Sequence, residues 1–275
     1  MARLALGISY QGNRYFGWQT QQSLPSIQAH LEYALSRIAE TSITTTVAGR
    51  TDAGVHAVGQ VVDFETEVVR PDLAWTRGVN SLLPEDIRVH WVRTVPTEFS
   101  ARRKAHWRQY LYLLYQSPHA PAIYRKGVAW THRVLNVSAM QRAAQYWIGE
   151  HDFSAFRGAG CQAIHARRHL YHLDIHCDGP MIIFSVKANA FLLHMVRNFV
   201  GTLLVIGREE KPIQWAEAVL HSRDRKEAGQ TAAASGLYLY RVGYPAEYDL
   251  PIGPHEKWCL PGLIEKSWQA EYELV

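Results

Sequence analysis

The chain has 275 residues, of which 47% are hydrophobic and 20% are charged, and its formal net charge at pH 7 is +4. These values are typical of a globular protein of one large or two ordinary domains, and they exclude low-complexity chains and chains with a membrane span of about 18 apolar residues. The small excess of positive charge permits a polyanionic partner without requiring one.

The first hundred residues predict one β-α-β-β-α-β unit. Alternating apolar residues indicate strands, and a serine at position 23 or 26 is a suitable cap for the first helix. The elements are a strand at 3–10, a helix at 27–40, strands at 43–47 and 58–66, a helix at 72–83 and a strand at 87–95. This order is that of the ferredoxin-like fold, in which helices cover one face of an antiparallel sheet.

The rest of the chain repeats this order with insertions. The elements are a strand at 107–115, a helix at 138–148, strands at 169–177 and 181–188, helices at 191–206 and 213–222, and a strand at 237–242. We therefore predict an α+β protein of two ferredoxin-like (RRM-like) domains, 1–103 and 104–245. A Pro- and Gly-rich tail, 246–275, is expected to wrap a surface or to be partly mobile. The pattern leaves open whether the two sheets meet edge to edge or across a cleft.

A polar loop, AGRTDAGVHA, lies between the strands of the first unit. Its glycines, Gly49 and Gly54, predict a sharp turn or a close approach of the backbone. Arg50, Asp52 and His56 give this turn side chains that can act chemically. On spacing alone an ordinary hairpin is the more frequent explanation.

Five motifs resemble one known family. They are YQGNRYFGWQTQ, GRTDAGVHA with GQVVDFET, HDFSAFR, KANAFLLHMVRNFVGTLLVIG and TAAASGLYL, and they follow the family's order up to about Pro245. They are similar to the motifs of the tRNA pseudouridine synthase A family. The resemblance implies two antiparallel sheets flanking a basic cleft. It further implies a homodimer that isomerises uridine to pseudouridine in the anticodon stem-loop of tRNA, without a cofactor or a metal.

The resemblance also assigns the catalytic residues. It places the family's catalytic carboxylate at Asp52, its cationic partner at Arg197 and its base-contacting tyrosine at Tyr110. Independently, Arg197 is a charge on an otherwise apolar helix, and such a charge is seldom buried unless it is paired. Tyr110 and Tyr112 share a strand face, so periodicity does not decide which of them reaches the cleft. Whether Asp52 attacks the sugar, attacks the uracil or removes a proton is also left open.

Contacts with RNA are expected from basic residues, because lysine and arginine bind phosphate. The resemblance implies that Arg50 fills the space left by a flipped base, and His56 lies in a matched motif that lines the cleft. The remaining candidates come from two basic clusters, although each cluster alone is usually a solvated face: Arg102, Arg103, Arg108, Arg167 and Arg168.

Two other functions fit parts of the sequence. A non-catalytic RNA-binding protein would bind tRNA without needing Asp52. A zinc hydrolase would use the histidine-rich segment 165–176, but His172, Asp174 and His176 fit the solvated side of a strand, and zinc-binding spacings are missing. Three widely spaced cysteines predict neither a disulfide framework nor a structural zinc. With no leader recognised at the N-terminus, a cytoplasmic protein is expected. Ala233 stands where the family usually has proline, which predicts a looser loop.

Overall fold

The structure, a computed structural model, describes residues 1–255. The predicted tail is therefore covered only as far as His255, and its remainder, with Cys259, lies outside the described residues. No helix within residues 1–255 combines the length and the apolar character needed to cross a membrane.

Ten strands form one sheet in the described part of the chain. They are β1 (Ala2–Tyr10), β2 (Thr46–Val47), β3 (His56–Thr66), β4 (Ile87–Val95), β5 (Trp107–Gln116), β6 (Ala129–Thr131), β7 (Gly149–Asp152), β8 (Arg167–Asp178), β9 (Met181–Ala188) and β10 (Leu237–Gly243). The α-helices are α1 (Ile27–Ala39), α2 (Val79–Leu82), α3 (Val137–Ala144), α4 (Met195–Gly207) and α5 (Trp215–Ser222).

The two halves of the chain join edge to edge. The strand order is β4-β1-β3-β10-β5-β9-β8-β7, and each half has the order of the predicted ferredoxin-like unit. The join is a short parallel pairing of β3 with β10, in which Tyr238 is opposite His56 and Leu239 is opposite Ala57. Farther along β3, the same edge pairs with β2. The sheet is therefore continuous, which the sequence pattern left open.

Most of the apolar core lies between the sheet and the helices. Helix α1 illustrates how the sequence specifies this packing. It begins where the Ser26 hydroxyl accepts the Ala29 N–H (3.3 Å), and it ends where Glu40 adopts a left-handed conformation. Its buried face includes Leu31 and Leu35, each contributing about 1.5 to 3 kcal/mol. A smaller cluster, which contains Leu111 and Leu113, covers part of the opposite face of the sheet.

Several predicted boundaries differ from those observed. The helix predicted at 72–83 contains a π-helical turn, Ala74–Gly78, which leads directly into α2. The helix predicted from 191 begins at Met195, because the preceding loop bonds to other parts of the chain: the Gly158 N–H donates to the carbonyl of Leu193 (2.7 Å). Strands β6 and β7 were not predicted, since three or four residues carry too little periodicity.

The segment that links the two halves is packed against both of them. Phe99 and Ala101 are buried, and the Ala101 N–H donates to the buried carboxylate of Asp63 (2.7 Å). The Ala101 carbonyl accepts the hydroxyl of Tyr244 (2.7 Å), which follows β10. The boundary predicted near 96–104 is thus a fixed crossing between β4 and β5.

His56 lies in the join between β3 and β10. Its ring stacks on Tyr238, with ring centroids 4.5 Å apart, and its Nδ1 accepts the Gly12 N–H (3.1 Å). The residue is only 1% exposed, and burial lowers the pKa of the imidazole from 6.5 to about 4. The structure therefore does not place His56 on the cleft surface, where the sequence motif predicted an RNA contact.

We expect acid to weaken this join. Between pH 6.5 and about 4 the unfolded chain binds a proton at His56 that the folded chain does not, so the free energy of unfolding falls as the pH falls through this window. The gap between the two pKa values corresponds to about 3 kcal/mol. Urea titrations from pH 7 to 4 should measure the fall.

The matched variant is His56→Asn, because the asparagine oxygen can accept the Gly12 N–H without titrating in this range. His255, whose pKa burial also lowers to about 4, contributes equally to both proteins. An equal loss of stability in acid for the variant and the wild type would contradict this origin.

Candidate active site

The loop that joins β2 to β3, here called the aspartate loop (48–55), is fixed by its neighbours. The Trp18 N–H donates to the carbonyl of Thr51 (3.0 Å), and the hydroxyls of Tyr10 and Thr51 are hydrogen-bonded (2.8 Å). Gly54 completes the turn with a φ of +78°, a conformation that side chains other than glycine rarely adopt. The loop therefore presents its side chains from a fixed backbone.

Arg108 fastens the aspartate loop to the second half of the chain. All three guanidinium nitrogens donate to backbone carbonyls: to Ala48 (2.9 and 3.2 Å), Ala105 (3.1 Å), Asn189 (3.1 Å) and Arg102 (2.7 Å). Burial lowers the pKa of this guanidinium. The sequence predicted a phosphate contact for Arg108, whereas the structure directs its hydrogen bonds into the protein.

Asp52 lies close to two basic side chains, one just before α4 and one in its first turn. Its Oδ2 is 3.7 Å from Nη1 of Arg197 and 3.4 Å from Nε2 of His194. The pair predicted between Asp52 and Arg197 is thus present, although both side chains keep some exposure, 26% for Asp52 and 16% for Arg197. This partial exposure leaves the carboxylate accessible from the cleft.

Arg197 is itself held by the loop before β10. Its Nε donates to the carbonyl of Ala232 (2.8 Å), and the Ala232 N–H donates back to the carbonyl of Arg197 (3.1 Å). The next residue, Ala233, has a φ of −57°, which a proline could adopt. Both hydrogen bonds between Arg197 and Ala232 are therefore present although alanine stands at position 233 in place of the family's usual proline.

Asn198, the next residue of α4, holds the same region from the other side. It is fully buried, and its amide donates to the carbonyl of Phe156 (2.8 Å). Its side-chain oxygen accepts from the Thr231 hydroxyl (2.7 Å) and from Nη2 of Arg225 (3.0 Å). Three motifs that are distant in sequence therefore converge on the first turn of α4.

Tyr110 is the strand tyrosine that reaches the cleft. Its ring packs edge to face on Phe191, with centroids 4.9 Å apart, while Tyr112 lies deeper on the same face of the sheet. A side chain at Gly49 would approach within 3.5 Å of the Tyr110 hydroxyl. Burial raises the pKa of Tyr110 above its ordinary value, so the phenol is protonated at neutral pH.

Asp52, Tyr110 and His194 line a cleft of about 540 Å³. Among the described residues that line it, Asp52 is the one carboxylate, and Arg50, Arg102, Arg108 and Arg168 contribute positive charge. Such a surface attracts a polyanion.

The other basic candidates occupy different positions. Arg168 is largely buried, and its Nη1 donates to the carbonyls of His165 (3.0 Å) and Arg167 (2.6 Å). Arg167 is exposed and pairs with Glu150 (3.3 Å). Arg103 is exposed but does not line the cleft. Of the predicted phosphate contacts, Arg50 and Arg102 are thus the two that are both exposed and in the cleft.

The histidines of segment 165–176 are not among the described residues that line this cleft. His172 contacts Ser185 (3.3 Å), and its Nε2 lies 3.9 Å from Asp174. Within residues 1–255 there is no group of three or more His, Cys, Asp or Glu side chains that could hold a metal ion.

Two features of the candidate site were not predicted from the sequence. The motif resemblance implied that His194 lines the cleft and gave it no catalytic role, yet this residue approaches Asp52 more closely than Arg197 does. Its approach depends on the left-handed backbone of His194, which precedes α4, and no spacing in the sequence indicates this conformation. Nothing in the sequence indicated that Arg108 would bond to the aspartate loop rather than to a ligand.

Comparisons with known proteins agree on one family. A family model described as tRNA pseudouridine synthase matches residues 7–102 and 143–245. A tRNA pseudouridine synthase A of Hydrogenovibrio crunogenus is 50% identical over 251 residues, which cover 91% of this chain and 96% of that protein. The protein of the same name in Coxiella burnetii is 48% identical over 261 residues, which cover 95% of this chain and 100% of that protein.

One solved structure, the crystal structure of a Cbf5-Nop10-Gar1 complex, contains a chain that matches with a TM-score of 0.34 and 12% identity. The match covers 86% of this chain and 57% of that one, and it is too weak to support any conclusion. The family resemblance seen in the sequence motifs is confirmed by the family model and the two relatives.

Proposed function

We propose a mechanism from one premise: this chain belongs to the tRNA pseudouridine synthase family. It is an isomerase that converts uridine to pseudouridine in tRNA. The reaction breaks the C–N glycosidic bond, turns the freed uracil and joins C5 of the base to the sugar. The observation that carries the mechanism is the carboxylate of Asp52, held beside Arg197 at a cleft lined by arginines.

Asp52 is the catalytic carboxylate in this mechanism. Acting as nucleophile or base, it requires a negative charge and access to the nucleotide. The positive charge of Arg197 lies 3.7 Å from the carboxylate and interacts favourably with its negative charge. The partial exposure of Asp52 gives the nucleotide access to the carboxylate. In either role it is the same carboxylate that reacts with the bound nucleotide.

The size of the cleft supports base flipping. A volume of about 540 Å³ is that of a small-molecule pocket, so a uridine must leave its base stack to enter. Tyr110 offers the entering base an aromatic ring and a protonated hydroxyl. Arg50, exposed at the cleft, is placed to occupy the space that the base leaves, because its planar guanidinium can stack on bases.

The finer features of the substrate and the assembly are part of the same proposal. We take the anticodon stem-loop of tRNA as the target, on the strength of the motif resemblance. We also propose that domains 1–103 and 104–245 each supply part of the site, because Asp52 comes from the first and Arg197 from the second. An enzyme of tRNA is expected in the cytoplasm.

The first prediction concerns the reaction. We expect the wild-type protein to release tritium into water from an unmodified tRNA transcript that carries it at uridine C5. The release occurs because the bond from C5 to its hydrogen breaks when C5 bonds to the sugar carbon. Asp52→Asn, which removes the charge and keeps the shape, should lower the release rate at least about a thousandfold. The measurement is tritium release with EDTA present throughout.

Asp72→Asn is the matched control, since Asp72 is exposed and lies outside the cleft. It should release tritium at the wild-type rate. Tight tRNA binding by a wild type that releases no tritium would favour the alternative, a non-catalytic RNA-binding protein.

The second prediction separates Arg102 from Arg108. Arg102→Ala should lower tRNA affinity and reduce the slope of log K against log salt by about 1, the effect of losing one phosphate contact. Arg108→Lys should instead lower the free energy of unfolding by about 2 kcal/mol, because an ammonium cannot reproduce the four-carbonyl contact of the guanidinium.

Filter binding over a series of salt concentrations and urea titration measure the two effects. If Arg108→Lys left the free energy of unfolding unchanged, the contacts of Arg108 with the backbone carbonyls would not be its contribution to the protein.

The third prediction concerns the homodimer. The Asn13 amide donates to the carbonyl of Lys126, so the loop of Phe16 lies beside the segment that contains Ile123 and Tyr124. These three apolar side chains are exposed, and exposed apolar patches mark protein contacts. Light scattering should give twice the 31.3 kDa of one chain.

Ile123→Arg should halve this mass, whereas Val69→Arg, an equally exposed change elsewhere, should leave it unchanged. A monomeric wild type would refute the homodimer, and a dimeric Ile123→Arg would refute this surface.

A further inference from the structure

His194 is the charged or polar group nearest to Asp52 that the proposed mechanism does not use. Its Nε2 is 3.4 Å from Oδ2 of Asp52, the same oxygen that faces Nη1 of Arg197. His194 immediately precedes α4, and Arg197 lies in the first turn of that helix. Both side chains approach the same carboxylate oxygen.

The backbone of His194 is held in an unfavourable conformation. Its φ is 62° and its ψ is 2°, in the left-handed region, which costs a residue with a side chain about 1 kcal/mol or more. The conformation is imposed from both sides. The Asn198 N–H donates to the His194 carbonyl (2.9 Å), and the preceding residue, Leu193, accepts the Gly158 N–H (2.7 Å). A glycine at 194 would adopt this conformation without strain, so histidine is retained there at a cost to stability.

The imidazole is also held in place. A Cβ on Gly158 would come within 2.8 Å of Nδ1 of His194, so the ring packs directly on the glycine backbone. The side chain of His194 is 34% exposed and lines the cleft. The ring is thus supported on one side by Gly158 and directed towards Asp52 on the other.

We propose that His194 is a positioning residue of the isomerase. With Arg197 it holds Oδ2 of Asp52, which turns the other oxygen, Oδ1, towards the bound nucleotide as the reacting atom. The proposal rests on the proposed function of Asp52 and adds to it the orientation of the carboxylate. His194 acts through Asp52 and transfers no group itself.

The decisive variant is His194→Gly, which removes the imidazole and fits the left-handed backbone. We expect kcat for tritium release to fall about ten- to a hundredfold, as is typical of a misdirected catalytic group. KM for tRNA should stay unchanged and Tm should stay the same or rise, because strain is relieved. Added imidazole, or the variant His194→Gln, whose amide can donate to the carboxylate, should restore part of kcat.

Two controls isolate the effect. Glu40→Gly makes the same backbone change at an exposed helix end, where φ is 57°, and should leave kcat unchanged. Asp52→Asn should gain nothing from imidazole, since its reacting group is absent.

Three results would overturn the proposal: wild-type kcat in His194→Gly, a loss confined to KM, or a loss of kcat that neither imidazole nor His194→Gln restores. A loss confined to KM would instead make His194 an RNA contact. A wild type without tritium release would refute the proposed function as well, so the two failures are distinguishable.

Discussion

The parallel pairing of β3 with β10 is the contact on which the site depends. In parallel strands the segments that precede each strand lie at the same end of the pair. The aspartate loop precedes β3, and the loop that holds Arg197 through Ala232 precedes β10. Since both loops leave the sheet at the same end, Asp52 and Arg197 come within ion-pair distance although 145 positions separate them.

The arginines of this cleft differ in what their side chains contact. Arg108 donates hydrogen bonds to backbone carbonyls and stabilises the aspartate loop, while the side chains of Arg50 and Arg102 are exposed. Arg197 lies between these cases, because one nitrogen is bonded to Ala232 and another faces Asp52. The role of a basic residue in such a cleft therefore follows from the contacts of its nitrogen atoms. Membership of a basic sequence cluster does not reveal whether those atoms contact the protein or solvent.

The sequence predicted the long elements well because their signals are local. The apolar spacing of α1 and the alternation of β1 and β9 need no distant partner. The joining of the two sheets was not predictable in this way, since β3 and β10 are paired by only two residue pairs from opposite ends of the chain.

The site was predictable in part. Asp52, Arg197 and Tyr110 were located through motif resemblance, and periodicity alone did not distinguish Tyr110 from Tyr112. The approach of His194 to Asp52 depends on a left-handed backbone that tertiary hydrogen bonds impose. No local sequence pattern predicts such a conformation for histidine. For the same reason the start of α4 was misplaced by four residues, from 191 to Met195.

The central position of β10 has a consequence for biosynthesis. This strand is among the last described parts of the chain to leave the ribosome, yet it lies between β3 and β5 in the finished sheet. Until residues 237–243 emerge, both neighbours carry a free edge with unpaired backbone groups, and such edges readily pair with other chains. The newly made protein is therefore most prone to aggregation in the interval before β10 fills the gap, and catalytic competence and protection from aggregation arrive in the same step.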